Sequence, residues 1–235
     1  MLFYLIRATH DPKEIAYILL MYILALSIAF ACHEFAHAFV ALKLGDDTAK
    51  HMGRVTLNPV AHIDAKALIP LLLMGFGWGK PVPVDPSKLT KFKNRSISII
   101  LVSIAGVTAN FILALLAGIF YVLAYKLIPE DFQFLQMIID FLEMCMSLNL
   151  GLLAFNLLPI PPLDGFRVIV ELLPVKFRYT GFFKWYVRYA PLILFGVIII
   201  GAFANVSFLS GIISIIEWPF TWVIGKVMAL LYMLL

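Results

Sequence analysis

Residues 15–44 read IAYILLMYILALSIAFACHEFAHAFVALKL, and this stretch decides the fold. Over residues 15–32, Ser27 is the only side chain more polar than Tyr, and the run continues without Gly or Pro to Leu44, ahead of Gly45. Eighteen apolar residues, at about 1.5 Å each, nearly cover the hydrocarbon core of a bilayer. One helix is therefore expected over residues 14–44, with His33, Glu34 and His37 in its polar end. Ala29-Phe30-Ala31 resembles the small-x-small cleavage site of a secretory signal. Cleavage there would cut the helix beside its polar cluster, so the stretch reads as a retained span.

The remaining sequence is of the same kind. Of its 235 residues 63% are hydrophobic and only 14% charged, with a mean hydropathy of +0.98. Soluble domains carry about 25% charged residues. Such a composition excludes a cytosolic enzyme, a disordered chain and a nucleic-acid binder, and indicates a polytopic membrane protein. Cys32 and Cys145 lie in apolar runs and frame no disulfide scaffold. Further spans are expected over residues 97–125, 144–163 (the helix starting near Phe132), 189–216 and 218–235. Residues 67–79 are uncharged but too short to span, and with Pro70 and three glycines they read as a re-entrant or interfacial piece. Residues 50–64, rich in β-branched side chains and holding the turn-like Asn58-Pro59, read as a short strand or hairpin over Gly53 to His62. The expectation is an all-α polytopic membrane protein of about five to six membrane segments. A short β-like element and a re-entrant segment lie near the histidines. It forms one domain over residues 1–235, with a core at 14–173 and additional C-terminal segments at 189–235.

Loop charges set the expected orientation. Residues 80–95 hold five basic side chains against Asp85, and residues 174–188 hold Lys176, Arg178, Lys184 and Arg188 with no acid. The connector 126–140 has one basic residue against Glu130, Asp131 and Asp140. Basic loops stay in the cytoplasm. That places the polar end of the first helix toward the cytoplasmic side.

His33-Glu34-Phe35-Ala36-His37 is an H-E-x-x-H motif. Positions i and i+4 lie about 40° apart around a helix, so both imidazoles can face one metal ion. Glu34 is close enough to serve water bound there. Ionisable groups inside a span cost at least ~2.5 kcal/mol each and are rarely idle; interfacial histidines bonding helix to helix are the bland alternative. A catalytic zinc commonly has three protein ligands, and the third is open among Cys32, His51, His62, Asp64 and Asp164. Asp164 closes the stretch Asn156-Leu-Leu-Pro-Ile-Pro-Pro-Leu-Asp164-Gly165, whose prolines stiffen the backbone that would aim it. Two readings fit Asp164: the third ligand, or an N-cap for the segment starting at Phe166.

H-E-x-x-H late in a first membrane helix, with N-x-x-P-x-P-x-L-D-G at the end of a later one, resembles the site-2 protease family of intramembrane zinc metalloproteases. Pro162 fits one free position of the second motif. The resemblance implies that His33, His37 and Asp164 bind one zinc ion and that Glu34 is the general base and acid. It implies hydrolysis of a peptide bond within or near a transmembrane segment of a single-span or multi-span membrane protein in the lipid bilayer, by zinc-activated water. Ala105-Gly106-Val107-Thr108-Ala109-Asn110 is similar to the family's A-G-P-x-x-N, with Val107 for Pro. Asn110 would then stand near the zinc as an oxyanion donor, interhelical bonding being its alternative. Asn156 would hold substrate backbone or pack. His62 reads as a hydrogen-bonding or substrate-side residue, and His10 and His51 as solvated. The connector after residue 126 is too short for the PDZ domain of many relatives, so the chain resembles the compact branch. Three competing readings remain: a metal-ion transporter, a zinc protease of the prenyl-protein type with Glu171 as ligand, and a non-catalytic scaffold. The Gly-containing spans permit a homo-oligomer without requiring one.

Overall fold

Asp11 starts the first long helix. Its carboxylate accepts from the Lys13 N–H at 2.9 Å, and Pro12 takes the first turn, where a missing N–H costs nothing. The computed structural model describes residues 11–62, 80–204 and 208–235. Helix α1 spans Pro12–Lys43, about 48 Å at 1.5 Å per residue. Its end is closed by two backbone bonds, Gly45 N–H to Leu42 O at 3.2 Å and Asp46 N–H to Ala41 O at 2.9 Å. Gly45 adopts φ +111°, and a Cβ there would lie 2.8 Å from the Lys88 carbonyl oxygen. The expected stop thus falls at that glycine.

Next come α2 (Thr48–His51), α3 (Arg95–Leu127), α4 (Leu135–Asn156), α5 (Asp164–Leu172), α6 (Val175–Arg178), α7 (Gly181–Ala204) and α8 (Phe208–Leu234). Among the described residues five helices, α1, α3, α4, α7 and α8, are long and apolar enough to cross a membrane. The protein is an integral multi-pass membrane protein.

Helix α3 is central: it packs on α1, α4, α5 and α8. Between helices in lipid there is little hydrophobic drive, so close approach depends on small side chains. Helix α3 buries Ser103, Gly106, Asn110, Ala114 and Ala117 along one face. Helix α1 buries every fourth residue of Ala25, Ala29, His33, His37 and Ala41. The two histidines therefore occupy two places in a small-residue stripe. Val107, standing where the similar family motif has Pro, leaves α3 unbroken and packs on Leu153 and Ala154 of α4. At the far end of α1 the Tyr17 hydroxyl donates to Asp140 of α4 at 2.8 Å.

Two expectations are corrected. The uncharged run 189–216 is shared by two helices: α7 begins eight residues earlier, and α8 takes residues 208–216. Charge did not mark the boundaries, because Lys184, Arg188, Glu217 and Lys226 all lie within helices. Arg188 rests 5.5 Å from the Tyr189 ring and Lys226 5.7 Å from the Trp222 ring, aromatic neighbours that accommodate the cations. Nor is there a strand among the described residues: Gly53 to His62 is irregular, ending in a 3-10 turn at Pro59–Ala61. A strand needs a partner ladder. Here the backbone is satisfied locally instead, by His62 Nε2 on the Thr56 carbonyl at 2.8 Å, by the Asn58 cap on Val60 and by the Arg54 guanidinium on the Ala61 carbonyl. The expected re-entrant piece at 67–79 lies outside the described residues.

The loop after it is pinned under the end of α1. Asp46, fully buried, accepts from the Thr48 N–H at 3.0 Å and from the Asp85 N–H at 2.6 Å. Ser87 donates to Asp85 from its hydroxyl and its backbone, which holds that carboxyl below the usual range. Thr90 and Lys91 N–H groups bond the Leu44 carbonyl. Residues 80–84 consequently run beside the last turns of α1, where Val82 packs with Ala38 and Ala49. Gly45→Ala should cost about 1–3 kcal/mol through the left-handed φ and the Lys88 contact. A thermal unfolding midpoint equal to wild type in the same detergent would contradict this.

Candidate metal centre

Three side chains from two elements meet inside the helix bundle. His33 Nε2 and His37 Nε2 lie 3.0 Å apart, and Asp164 Oδ2 stands 3.3 Å from the first and 3.1 Å from the second. All three residues are buried, and their ligand atoms lie within 4.8 Å of one another. Helical spacing brings the histidines together. Asp164 arrives from the Pro-rich turn after α4, held by Leu158 and Leu163 packed with Leu194 and by the Tyr186 hydroxyl on the Pro159 carbonyl at 2.7 Å.

The far nitrogen of each imidazole reveals what the near one offers. His37 Nδ1 is 2.7 Å from the Val102 carbonyl oxygen, and His33 Nδ1 is 2.5 Å from Asn110 Oδ1. Each acceptor calls for a proton on Nδ1, which leaves a lone pair on each Nε2 of the neutral rings. Among the described residues, no hydrogen-bond donor reaches the buried Asp164 Oδ2. Three acceptors thus converge with no donor among the described residues, which is the demand a divalent cation meets. Two imidazoles and one carboxylate suit zinc and leave a fourth position open for water or substrate. Gly106 supplies the room: a Cβ on it would fall 2.4 Å from His37 Nε2 and 2.7 Å from His33 Nε2.

Glu34 is buried beside the histidines but outside the three-residue group. Its Oε2 accepts from the Val82 N–H at 2.9 Å. Pro81 and Pro83 flank that residue and have no N–H, so Val82 is the one donor of the triplet. The segment is gripped by Arg54, 4% exposed, whose guanidinium donates to the Lys80 carbonyl and, at 3.4 Å, to that of Pro81.

Other expected residues lie elsewhere. Asp164 sits inside the first turn of α5; the capping position belongs to Leu163 and no side chain caps there, so the N-cap reading fails. His62 is fully buried, bonded to Thr56 and outside the metal group, and Asn156 donates back to the Leu152 carbonyl at 3.0 Å. These bonds run to backbone carbonyls and not to the cluster. Asn110 is brought there, but its Oδ1 faces His33 and its Nδ2 donates to Asn149 Oδ1 at 2.9 Å. Glu171 lies 3.7 Å from Arg178, and His51 bonds exposed Asp47 at 2.9 Å. Cys32 is a free thiol outside the group; Asp64 and His10 lie outside the described residues. Sequence reasoning missed Val82, Gly106 and Asn149 as site residues. The alternation Pro81-Val82-Pro83 was a legible signal for the first, and spacing of four from Asn110 back to Gly106 for the second.

A two-histidine, one-carboxylate centre with an adjacent glutamate, built between membrane helices, defines a membrane-embedded metalloprotease. Comparison with known proteins agrees. The profile of "Peptidase family M50" matches residues 125–197, which include Asp164. The protein named "Putative zinc metalloprotease YwhC" from Bacillus subtilis is 44% identical over 157 residues, covering 66% of this chain and 70% of that one. Those named "Putative zinc metalloprotease Rip2" from Mycobacterium tuberculosis and Mycolicibacterium smegmatis are 32% identical over 168 residues and 30% over 171. Each match covers 68% of this chain and 60% of the relative. No solved structure gives a significant match. The chain belongs to peptidase family M50, the site-2 proteases, and is a zinc metalloprotease of that family.

Gly106→Ala should therefore empty the centre: a methyl against both Nε2 atoms leaves no room for an ion, and zinc content should fall to near background with the helices intact. Metal analysis of the purified variant showing one zinc per chain would contradict the geometry.

Proposed function

We propose that the protein hydrolyses a peptide bond within or near a transmembrane segment of a membrane-protein substrate, from a centre on the cytoplasmic side. The observation that carries this reading is the convergence of His33, His37 and Asp164 late in α1, with the Glu34 carboxylate held next to them. Burial of all four among membrane helices supports a substrate that is itself in the membrane. The basic loops 80–95 and 174–188 support the cytoplasmic side.

His33, His37 and Asp164 would hold the zinc ion. When bound, zinc supplies Lewis acidity, lowering the pKa of water and polarising the scissile carbonyl. Glu34 does the proton work. Its carboxylate takes the proton released as water attacks the carbonyl carbon, and returns it to the departing amide nitrogen. The Val82 N–H fixes one carboxylate oxygen, and the other takes part in that exchange. Arg54 holds the 80–82 segment in place, and so acts on Glu34 at one remove. Substrate binding roles for His62 and Asn156 gain no support from their observed partners. Asn110 is better placed to orient His33 than to meet an oxyanion.

Two substitutions separate the roles. Glu34→Gln should keep about one zinc per chain, because Glu34 is not a ligand, while cleavage of a co-expressed single-span substrate falls by about 10²–10⁴-fold or more. Loss of zinc from that variant would make Glu34 a ligand. Asp164→Asn removes an anionic donor from a divalent ion, so zinc and cleavage should fall together. Full zinc occupancy with normal cleavage would move the third ligand elsewhere.

A further inference from the structure

We propose that Asn149 is a positioning residue that sets the proton tautomer of His33, acting through Asn110. The inference rests on the metal-centre reading above. It follows from the direction of three consecutive hydrogen bonds, and that direction is fixed from one end.

The Cys145 carbonyl on α4 can only accept. Asn149 Nδ2 donates to it at 2.8 Å, so Asn149 must turn its Oδ1 the other way. That oxygen receives Asn110 Nδ2 at 2.9 Å, which turns Asn110 Oδ1 toward His33 Nδ1 at 2.5 Å. An oxygen at Nδ1 requires the His33 proton to sit there, leaving the Nε2 lone pair aimed at His37 and Asp164. Reversing any amide in the chain would set an N–H against Nδ1 and move the proton to Nε2, where it would block the ligand atom.

The two histidines differ in this respect. His37 Nδ1 faces the Val102 carbonyl, an acceptor that cannot be reversed. His33 faces a side-chain amide, which presents either a donor or an acceptor until something orients it. Asn149 is 1% exposed and Asn110 fully buried, so water is not at hand to do so. The link also spans three helices: Asn149 lies on α4, Asn110 on α3 and His33 on α1. Hydrogen bonds to the second nitrogen of a metal-binding histidine commonly change metal affinity by about 10–100-fold.

The test uses the full chain, labelled with 15N-histidine in detergent micelles, metal-free, at alkaline pH. Long-range proton–nitrogen spectra report which ring nitrogen carries the proton, and zinc affinity is measured by competition with a chelator. Wild type should show His33 protonated at Nδ1. Asn149→Leu should shift His33 toward the Nε2 tautomer, leave His37 unchanged and weaken zinc by about 10–100-fold. A carboxylate needs no orienting, so in an Asn110→Asp background the same Asn149→Leu change should weaken zinc by less than about threefold. Wild-type His33 protonated at Nε2 would overturn the proposal by itself, even if Asn149→Leu failed to fold. Unchanged tautomer and affinity in Asn149→Leu, or equal losses in both backgrounds, would overturn it while leaving the metal centre standing. Failure of wild type to bind zinc would remove that centre and the proposal with it.

Discussion

Three hydrogen-bond acceptors face one another at the heart of this bundle: two imidazole lone pairs and a carboxylate oxygen, all within about a van der Waals contact. Among the described residues no donor lies between them. A buried acceptor without a partner costs about 1–3 kcal/mol, and a buried carboxylate more. Every element near the centre is arranged to impose this unfavourable meeting. A zinc ion makes it favourable, so the energy of metal binding and the energy of holding the helices together are coupled at this point.

What imposes the meeting is packing. Interhelical hydrogen bonds in membranes average about 0.6 kcal/mol, too little to force acceptors together. The alanines at 25, 29 and 41 of α1 and the small face of α3 let the two backbones close, and the histidines at 33 and 37 then have only the space left by Gly106. Asp164 comes from the opposite side on a turn anchored by leucines and by Tyr186. The polar network around the cluster, Asn110 and Val102 on the imidazoles and Val82 on Glu34, adds direction more than stability. It decides which atom of each side chain points inward.

The centre was legible because its chemistry is local or stereotyped. His33, Glu34 and His37 lie within five residues on one helix, and Asp164 follows a Pro-rich turn, so spacing and resemblance named all four. Helix α1 was equally plain from its apolar run and the Gly45 stop, although its start, expected at residue 14, lies at Pro12 behind the Asp11 cap. The strand expected at Gly53 to His62 was misread because β-branched composition describes side chains, whereas a strand is a pairing of backbones; Arg54 and His62 satisfied that backbone instead. The joint between α7 and α8 was misplaced because Glu217, the charge between the two expected spans, lies inside α8. Asn149 was invisible for another reason. Its role lies in which end of an amide faces which neighbour, and that is decided by three helices meeting, about which the order of residues says nothing.

X-ray absorption at the zinc edge of the purified wild-type protein identifies the side chains on the zinc. With His33, His37 and Asp164 as ligands, the spectrum should show a first shell of nitrogen and oxygen at about 2.0–2.2 Å, with the multiple-scattering signature of two imidazoles and no sulfur. A sulfur neighbour at about 2.3 Å would bring Cys32 into the centre. A sulfur shell, or the signature of three imidazoles, would contradict the assignment of His33, His37 and Asp164.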